Sequence, residues 1–356
     1  MTTSSPYYLR PDGTFVIEDF TQKKLFTNFF PGIAGEWGIP MWVFYNNRGQ
    51  GISSFGIESK DKAIMEFQPA DKAYRLTSTY GFRTFLKVRK GSAGKFYEPF
   101  RSPAASPFKV RQAMMITSHD LTIEEVNLTL GLAVAVNYFT IPEEPFAGLV
   151  RRVTVRNTGK GPLAVEMLDG LPVIVPYGQN DWVMKHMSRT IEAWYKVRNL
   201  AKNAPYFQLD TEAADVPQVK HIEEGNFYFA FDPKAKPGTL LDAVVETAAV
   251  FGMSADLLVP EHFMAARRFK VPADQQTDNR MPCAMSSLSF SLRAGGAKDL
   301  VSITGSARSI RELNSHVKKA TSRGFIAAKH ARNRAVVEGV KSLAFTHGAS
   351  RAFNAY

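Results

Sequence analysis

From about Tyr7 to Ile303 the chain is one short β-branched or aromatic run after another, each closed by Gly, Pro or Asn/Asp, and this texture narrows its fold class more than any other feature. Met41 to Tyr45, Arg83 to Val88, Val110 to Ser118, Asp120 to Leu130, Ala133 to Phe139, Leu149 to Asn157, Leu163 to Leu168, Phe227 to Asp232 and Ser286 to Leu292 all read as strands. Within Arg151-Arg152-Val153-Thr154-Val155-Arg156 the valines share one face and Arg152, Thr154 and Arg156 the other, so this strand has one wet side. Helix-length amphipathic patterns are too few to supply crossovers, which argues against a doubly wound parallel sheet. The expected architecture is mainly β: two large antiparallel sheets stacked face to face. Asn157-Thr158-Gly159-Lys160-Gly161 lacks the Gly-Lys-Ser/Thr ending and the following helix of a phosphate loop, so it reads as a hairpin turn.

After Thr304-Gly305-Ser306 the period changes. Ile310, Leu313 and Val317 recur at helical spacing and Gly324 interrupts. Ala328, Ala331 or Ala335, Val336, Val340 and Leu343 then continue a stripe with Lys and Arg opposite, closed by His347-Gly348. The expected division is a β domain over 1–307 and a helical segment over 308–356. Gly91 to Pro107 and Val197 to Val219 read as surface loops.

The net charge of +11 is concentrated in that segment, where ten Lys/Arg from Arg308 to Arg351 face only Glu312 and Glu338. Without aromatic interleaving or a zinc or basic-zipper pattern, these charges read foremost as a solvated helix face, then as a surface for an acidic partner. No apolar run approaches the ~18 residues that span a bilayer, and no basic-then-apolar leader opens the chain. The single cysteine, Cys283, excludes an internal disulfide and fits a reducing compartment. The expectation is a cytoplasmic chain with no nucleic-acid or membrane partner.

Several chemistries are missing. The seven histidines (119, 186, 221, 262, 316, 330 and 347) include no pair at metal-ligand spacing, so no metal site is expected. Gly51-Ile52-Ser53-Ser54-Phe55-Gly56 lacks a nucleophile elbow's second glycine, and Cys283 after Pro282 reads as structural.

Asn28 to Gly56, by contrast, gathers aromatic rings, amides and six glycines. Rings stack on apolar faces of pyranoses, amides pair with hydroxyls and glycines admit close backbone approach. A β-hairpin with buried aromatics is the plainer alternative. Asp169 to Trp182 repeats the mixture. By their chemistry Trp37, Trp42, Asn46, Asn47, Tyr177, Asn180 and Trp182 are the candidate sugar contacts. Glu36, Asp169 and Asp181 each sit beside aromatics and glycines, the setting of a catalytic acid in sugar chemistry, with turn carboxylates and strand-end caps as the simpler reading.

The succession Asn46-Asn47-Arg48-Gly49-Gln50-Gly51-Ile52-Ser53-Ser54-Phe55-Gly56, Glu66-Phe67-Gln68-Pro69-Ala70, Tyr74, Gly81-Phe82-Arg83-Thr84-Phe85, Val155-Arg156-Asn157 and Asp169-Gly170-Leu171-Pro172 resembles the N-terminal part of inverting glycoside phosphorylases. These are relatives of cellobiose phosphorylase, and the strongest likeness is to 1,2-β-oligoglucan phosphorylase. The resemblance implies a galactose-mutarotase-like antiparallel β super-sandwich, followed by C-terminal linker helices that lead to an (α/α)6 barrel. It places the catalytic acid and the phosphate pocket in that barrel, so no residue here inherits a catalytic role and the chain alone is expected to be inactive. Inorganic phosphate would be co-substrate of the full enzyme, with no other cofactor. The implied partners are a β-glucan oligosaccharide, the barrel in cis or in trans, and a second copy in a homodimer. Ala349-Ser350-Arg351-Ala352-Phe353-Asn354-Ala355-Tyr356 resembles the lead into the barrel, so truncation before it is expected. A tail built to dock there would leave its apolar stripe exposed. A stand-alone carbohydrate-binding module, or the related portion of a cyclic β-1,2-glucan synthase, remains an alternative.

Overall fold

Strand after strand does form, in three antiparallel sheets. The computed structural model describes residues 6–91, 93–213, 217–343, 347, 348 and 350. Among them a ten-stranded sheet runs in the order β1 (Tyr7–Leu9), β2 (Phe15–Glu18), β9 (Val110–Ile116), β10 (Leu121–Asn127), β11 (Leu132–Thr140), β12 (Ala147–Asn157), β19 (Ala297–Ala307), β16 (Gly225–Phe231), β15 (Tyr206–Leu209) and β14 (Tyr195–Arg198). A five-stranded sheet orders β17 (Ala243–Val244), β18 (Ala284–Leu292), β13 (Leu163–Leu171), β7 (Arg83–Lys90) and β8 (Ala93–Tyr97). A four-stranded sheet contains β3 (Thr27–Gly32), β4 (Met41–Asn46), β5 (Ile52–Ile57) and β6 (Ala63–Met65). The helices are α1 (Ala70–Tyr80), α2 (Asp181–His186), α3 (Ala248–Phe251), α4 (Glu261–Ala265), α5 (Ile310–Ala320) and α6 (Phe325–Lys341). No described helix is long and apolar enough to cross a membrane.

Alternation explains the layering. Val153 and Val155 are buried while Arg152 and Arg156 are exposed, and the valines join a core shared by all three sheets, with Val43, Phe55, Val134, Val165 and Met167. β16 is buried along its whole length because Tyr228 and Ala230 enter that core while Phe227, Phe229 and Phe231 face a second cluster on the far side of the ten-stranded sheet. α5 and the start of α6 cover this far side with Leu313, Ala320 and Phe325. The outer face of the five-stranded sheet is likewise covered by Val250, Phe251 and Phe263 of α3 and α4.

Four local expectations need correction. The Asn157 to Gly161 segment is no hairpin turn, because β12 and β13 belong to different sheets and the segment carries the chain between layers. Asn157 secures it, its Nδ2 donating to the carbonyls of Gly161 at 2.8 Å and Leu292 at 3.2 Å. The stretches read as loops contain β8, an edge strand that needs little apolar sequence, and β15, a short inner strand buried between β16 and β14. Only part of the tail's stripe is left exposed: Leu313 with Ile310 and Val317 seats α5 on the sheet, while Ala328, Val340 and Leu343 stay exposed. α6 ends at Lys341 with Ser342 as its cap, before His347-Gly348. Apart from Ser350, the closing segment 349–356 lies outside the described residues.

Candidate functional site

A turn between β5 and β6 organises the most site-like surface of the molecule. Glu58 adopts a left-handed φ of 53°, which swings the chain out of β5, and Ser59 Oγ accepts from the Asp61 amide at 3.2 Å to start a short turn of helix. The Trp42 indole N–H bonds the carbonyls of Ile57 at 3.2 Å and Ser59 at 3.1 Å from beneath. On the other side Asp61 accepts from the Asp181 amide at 2.9 Å and Lys60 donates to the Asp181 carboxylate at 2.7 Å, tying the turn to α2.

The turn presents Glu58 and Lys62, paired at 2.7 Å, to the ring of Tyr177, whose centre lies 5.8 Å from the Lys62 Nζ. Tyr177 is itself fixed by backbone bonds, its N–H donating to Phe207 at 3.0 Å and its carbonyl accepting from Leu209 at 2.8 Å. His221, Glu223 and Glu224 come from the chain entering β16, and Arg308 from the end of β19. The Tyr206 hydroxyl holds these walls together, 3.0 Å from the Glu223 carbonyl and 2.7 Å from that of Ala307. The resulting groove has a volume of about 490 Å³.

Its electrostatics follow from its construction. Burial pushes the Tyr177 hydroxyl up, against the opposing pull of Lys62. Burial works against the Lys62 ammonium, yet its bonds to Glu58 and Tyr177 outweigh that and hold its pKa above the ordinary lysine value. Carboxylates that accept from hydroxyls, cations that donate to them and one half-buried ring suit a neutral, polyhydroxylated ligand.

The sequence candidates divide. Tyr177 lines the groove, while Trp42 supports its turn from below. Asn180 caps α2 by accepting from the Val183 amide at 2.8 Å, and Trp182 is 58% exposed with its ring stacked on His186. Trp37 is 60% exposed, away from the groove lining. Asn46 and Asn47 are fully buried and hold the fold: Asn46 donates to Thr77 at 2.8 Å, and Asn47 to the carbonyls of Phe20 at 3.0 Å and Lys24 at 2.9 Å. They are withdrawn from any ligand.

Among the candidate acids, Glu36 is exposed and Asp181 is occupied by Lys60 and Lys185. Asp169 is sealed between sheets against Arg151. Burial pushes the Cys283 thiol up, in keeping with a structural role. Sequence reasoning passed over Glu58, Lys62, His221, Glu223, Glu224 and Arg308, which lie in turns and strand ends and converge only through strand order.

A second surface lies across the same turn. On the outer face of β3 and β4, Phe44 packs with Phe29, Trp42 and Phe67, and Trp42 with Phe67, in edge and tilted contacts at 5.8 to 6.1 Å. Phe29 is 60% and Phe67 39% exposed.

The molecule is thus defined as a mainly β domain of antiparallel sheets with a polar, ring-lined groove at one turn. No protein-family model matches the chain, and no curated protein matches it. Similar solved structures include a polysaccharide lyase, with 13% identity over 77% of this chain and 33% of that one at a TM-score of 0.41. A bacterial glucoamylase complexed with acarbose is 9% identical over 91% of this chain and 41% of that one, at a TM-score of 0.43. A candidate kojibiose phosphorylase from the human microbiome is 7% identical over 94% and 39%, at 0.38. The chain therefore spans between a third and two-fifths of the length of these proteins.

Proposed function

We propose that this chain is a carbohydrate-binding and assembly domain of a β-glucan phosphorylase, with a β-1,2-glucooligosaccharide as ligand of the Tyr177 groove. In this reading the chemistry belongs to an (α/α)6 barrel, supplied in cis or in trans. Inversion requires a carboxylic acid to protonate the glycosidic oxygen while inorganic phosphate attacks the anomeric carbon from the opposite face. The groove's share is to hold and orient the glucan.

The observation that supports this reading is the convergence of Tyr177, Lys62, Glu58, His221, Glu223, Glu224 and Arg308 on one cavity of about 490 Å³, within the range of sugar-sized sites. The resemblance of the motif series to inverting phosphorylases supplies the linkage and the phosphate. Calorimetric titration with β-1,2-glucooligosaccharide tests the binding. Assay with sugar 1-phosphate and the same acceptor, alone and mixed with a barrel domain, tests the division of labour. Turnover only in the mixture supports the reading; turnover by the chain alone overturns it.

A further inference from the structure

We infer that His119, Asp120 and His330 form a binding site for a divalent transition-metal ion of the zinc type, which ties α6 to the β9–β10 hairpin. Their ligand atoms, two imidazole nitrogens and a carboxylate oxygen, all lie within 4.8 Å of one another. Imidazole with one carboxylate selects Zn²⁺, Co²⁺ or Ni²⁺ over the oxygen-seeking Mg²⁺ and Ca²⁺. Residues 210 positions apart make this cluster, so spacing along the chain could not reveal it.

The surroundings resemble the outer shell of a metal centre. Asn137 Nδ2 donates to Asp120 Oδ2 at 2.9 Å, and the Thr117 hydroxyl bonds Asp120 Oδ1 and stands 3.2 Å from His119 Nδ1. The His330 ring packs on Phe139 with centres 4.7 Å apart, giving the site an apolar wall. Asp120 and His119 are buried, whereas the His330 side chain is 38% exposed, which leaves a path for an ion and its remaining water. A second observation comes from Asn333, one turn beyond His330 and wholly buried. Its Nδ2 donates to the His119 carbonyl at 2.9 Å while its Oδ1 has no hydrogen-bond partner. His330 Nε2 and Asp120 Oδ2 are 2.9 Å apart, a contact held by a shared proton that a bound cation would displace.

The test is a Zn²⁺ titration of the EDTA-treated full chain, followed by calorimetry and thermal unfolding. One ion per chain is expected, with a rise in Tm on the order of 4 °C at a hundredfold excess over Kd and no rise with Mg²⁺. His330→Gln should lose the rise measured from its own metal-free Tm, and a His262→Ala variant should retain it. No rise in the wild-type chain, or an undiminished rise in His330→Gln, overturns the site. Should the His330 variant fail to fold, Co²⁺ bound to the wild-type chain decides: intense four- or five-coordinate absorption supports the site, and the aqua-ion spectrum refutes it.

Discussion

Arg151 and Asp169 are wholly buried between the ten- and five-stranded sheets, and each is affordable only because of the other. The guanidinium meets the carboxylate at 2.7 and 3.0 Å, while Thr84 donates to Asp169 at 2.6 Å and the Gln50 and Tyr138 side-chain oxygens accept from Arg151. Burial works against the Arg151 charge, and Asp169 and Tyr138 outweigh it, so its pKa stands above the ordinary value. Removing one partner strands the other charge in the core. Asp169→Asn should therefore cost about 3–5 kcal/mol in urea unfolding, and Arg151→Met with Asp169→Leu should recover much of it. A loss under about 1 kcal/mol would show that water reaches the pair. Gly170 follows with φ 145°, where a Cβ would stand 2.1 Å from the Ala284 carbonyl oxygen, so Asp169-Gly170 is explained by packing without any ligand. In the groove the contrast is between ring and hydroxyl. Tyr177→Ala should weaken β-1,2-glucan binding about tenfold and Tyr177→Phe by less than about threefold, since stacking carries more than one solvated hydroxyl. Equal losses in both titrations would assign the contact to the hydroxyl. Tyr177 was legible because aromatic and amide residues crowd around it; Glu58, Lys62 and Glu224 look like any charged turn residue.

At the scale of elements, strands were legible and their partners were not. Alternation in β12 and the continuous apolar run of β16 specify how many faces each strand buries, but β12 and β13 show that consecutive strands need not share a sheet. The helices show the same limit. The face read for α5 is the buried one, led by Leu313 at 1% exposure. On α6 the stripe through Ala328, Val336 and Val340 is largely exposed, and Phe325, Asn333 and Val337 are buried instead. Polar residues on the inner face hid it, because Lys329 is drawn in by the carbonyls of Pro142 at 2.8 Å and Glu143 at 3.0 Å. Leu313→Ala should cost about 2–4 kcal/mol, whereas Val340→Ser, at 50% exposure, should stay within about 0.5 kcal/mol. Chemical unfolding of the two variants checks the assignment, and a reversal of their order would mean that α5 is not held on the sheet.

Across the whole molecule, part of the positive charge of the tail is engaged within the fold, and the charge of the groove separates the two kinds of ligand that a basic chain can bind. Lys319 and Lys329 both reach the buried Glu144 carboxylate at 2.8 Å, Arg332 grips Glu143 at 2.5 Å and Lys341 pairs with Glu338 at 2.9 Å. These four cations of the tail are answered by carboxylates of the same chain, and three of them fasten the helices to the loop between β11 and β12. The groove mixes Glu58, Glu223 and Glu224 with Lys62 and Arg308, a balance that repels a polyphosphate more than it attracts one. A neutral glucan gains from stacking and hydroxyl bonds, neither of which releases counterions. Its affinity should change by less than about twofold between about 50 and 200 mM salt, while binding through six or more phosphates would fall about a thousandfold. Parallel titrations of β-1,2-glucooligosaccharide and single-stranded nucleic acid at both ionic strengths distinguish the cases. Steep salt dependence with the nucleic acid, alongside no heat from the glucan, would reassign the groove and the charge together.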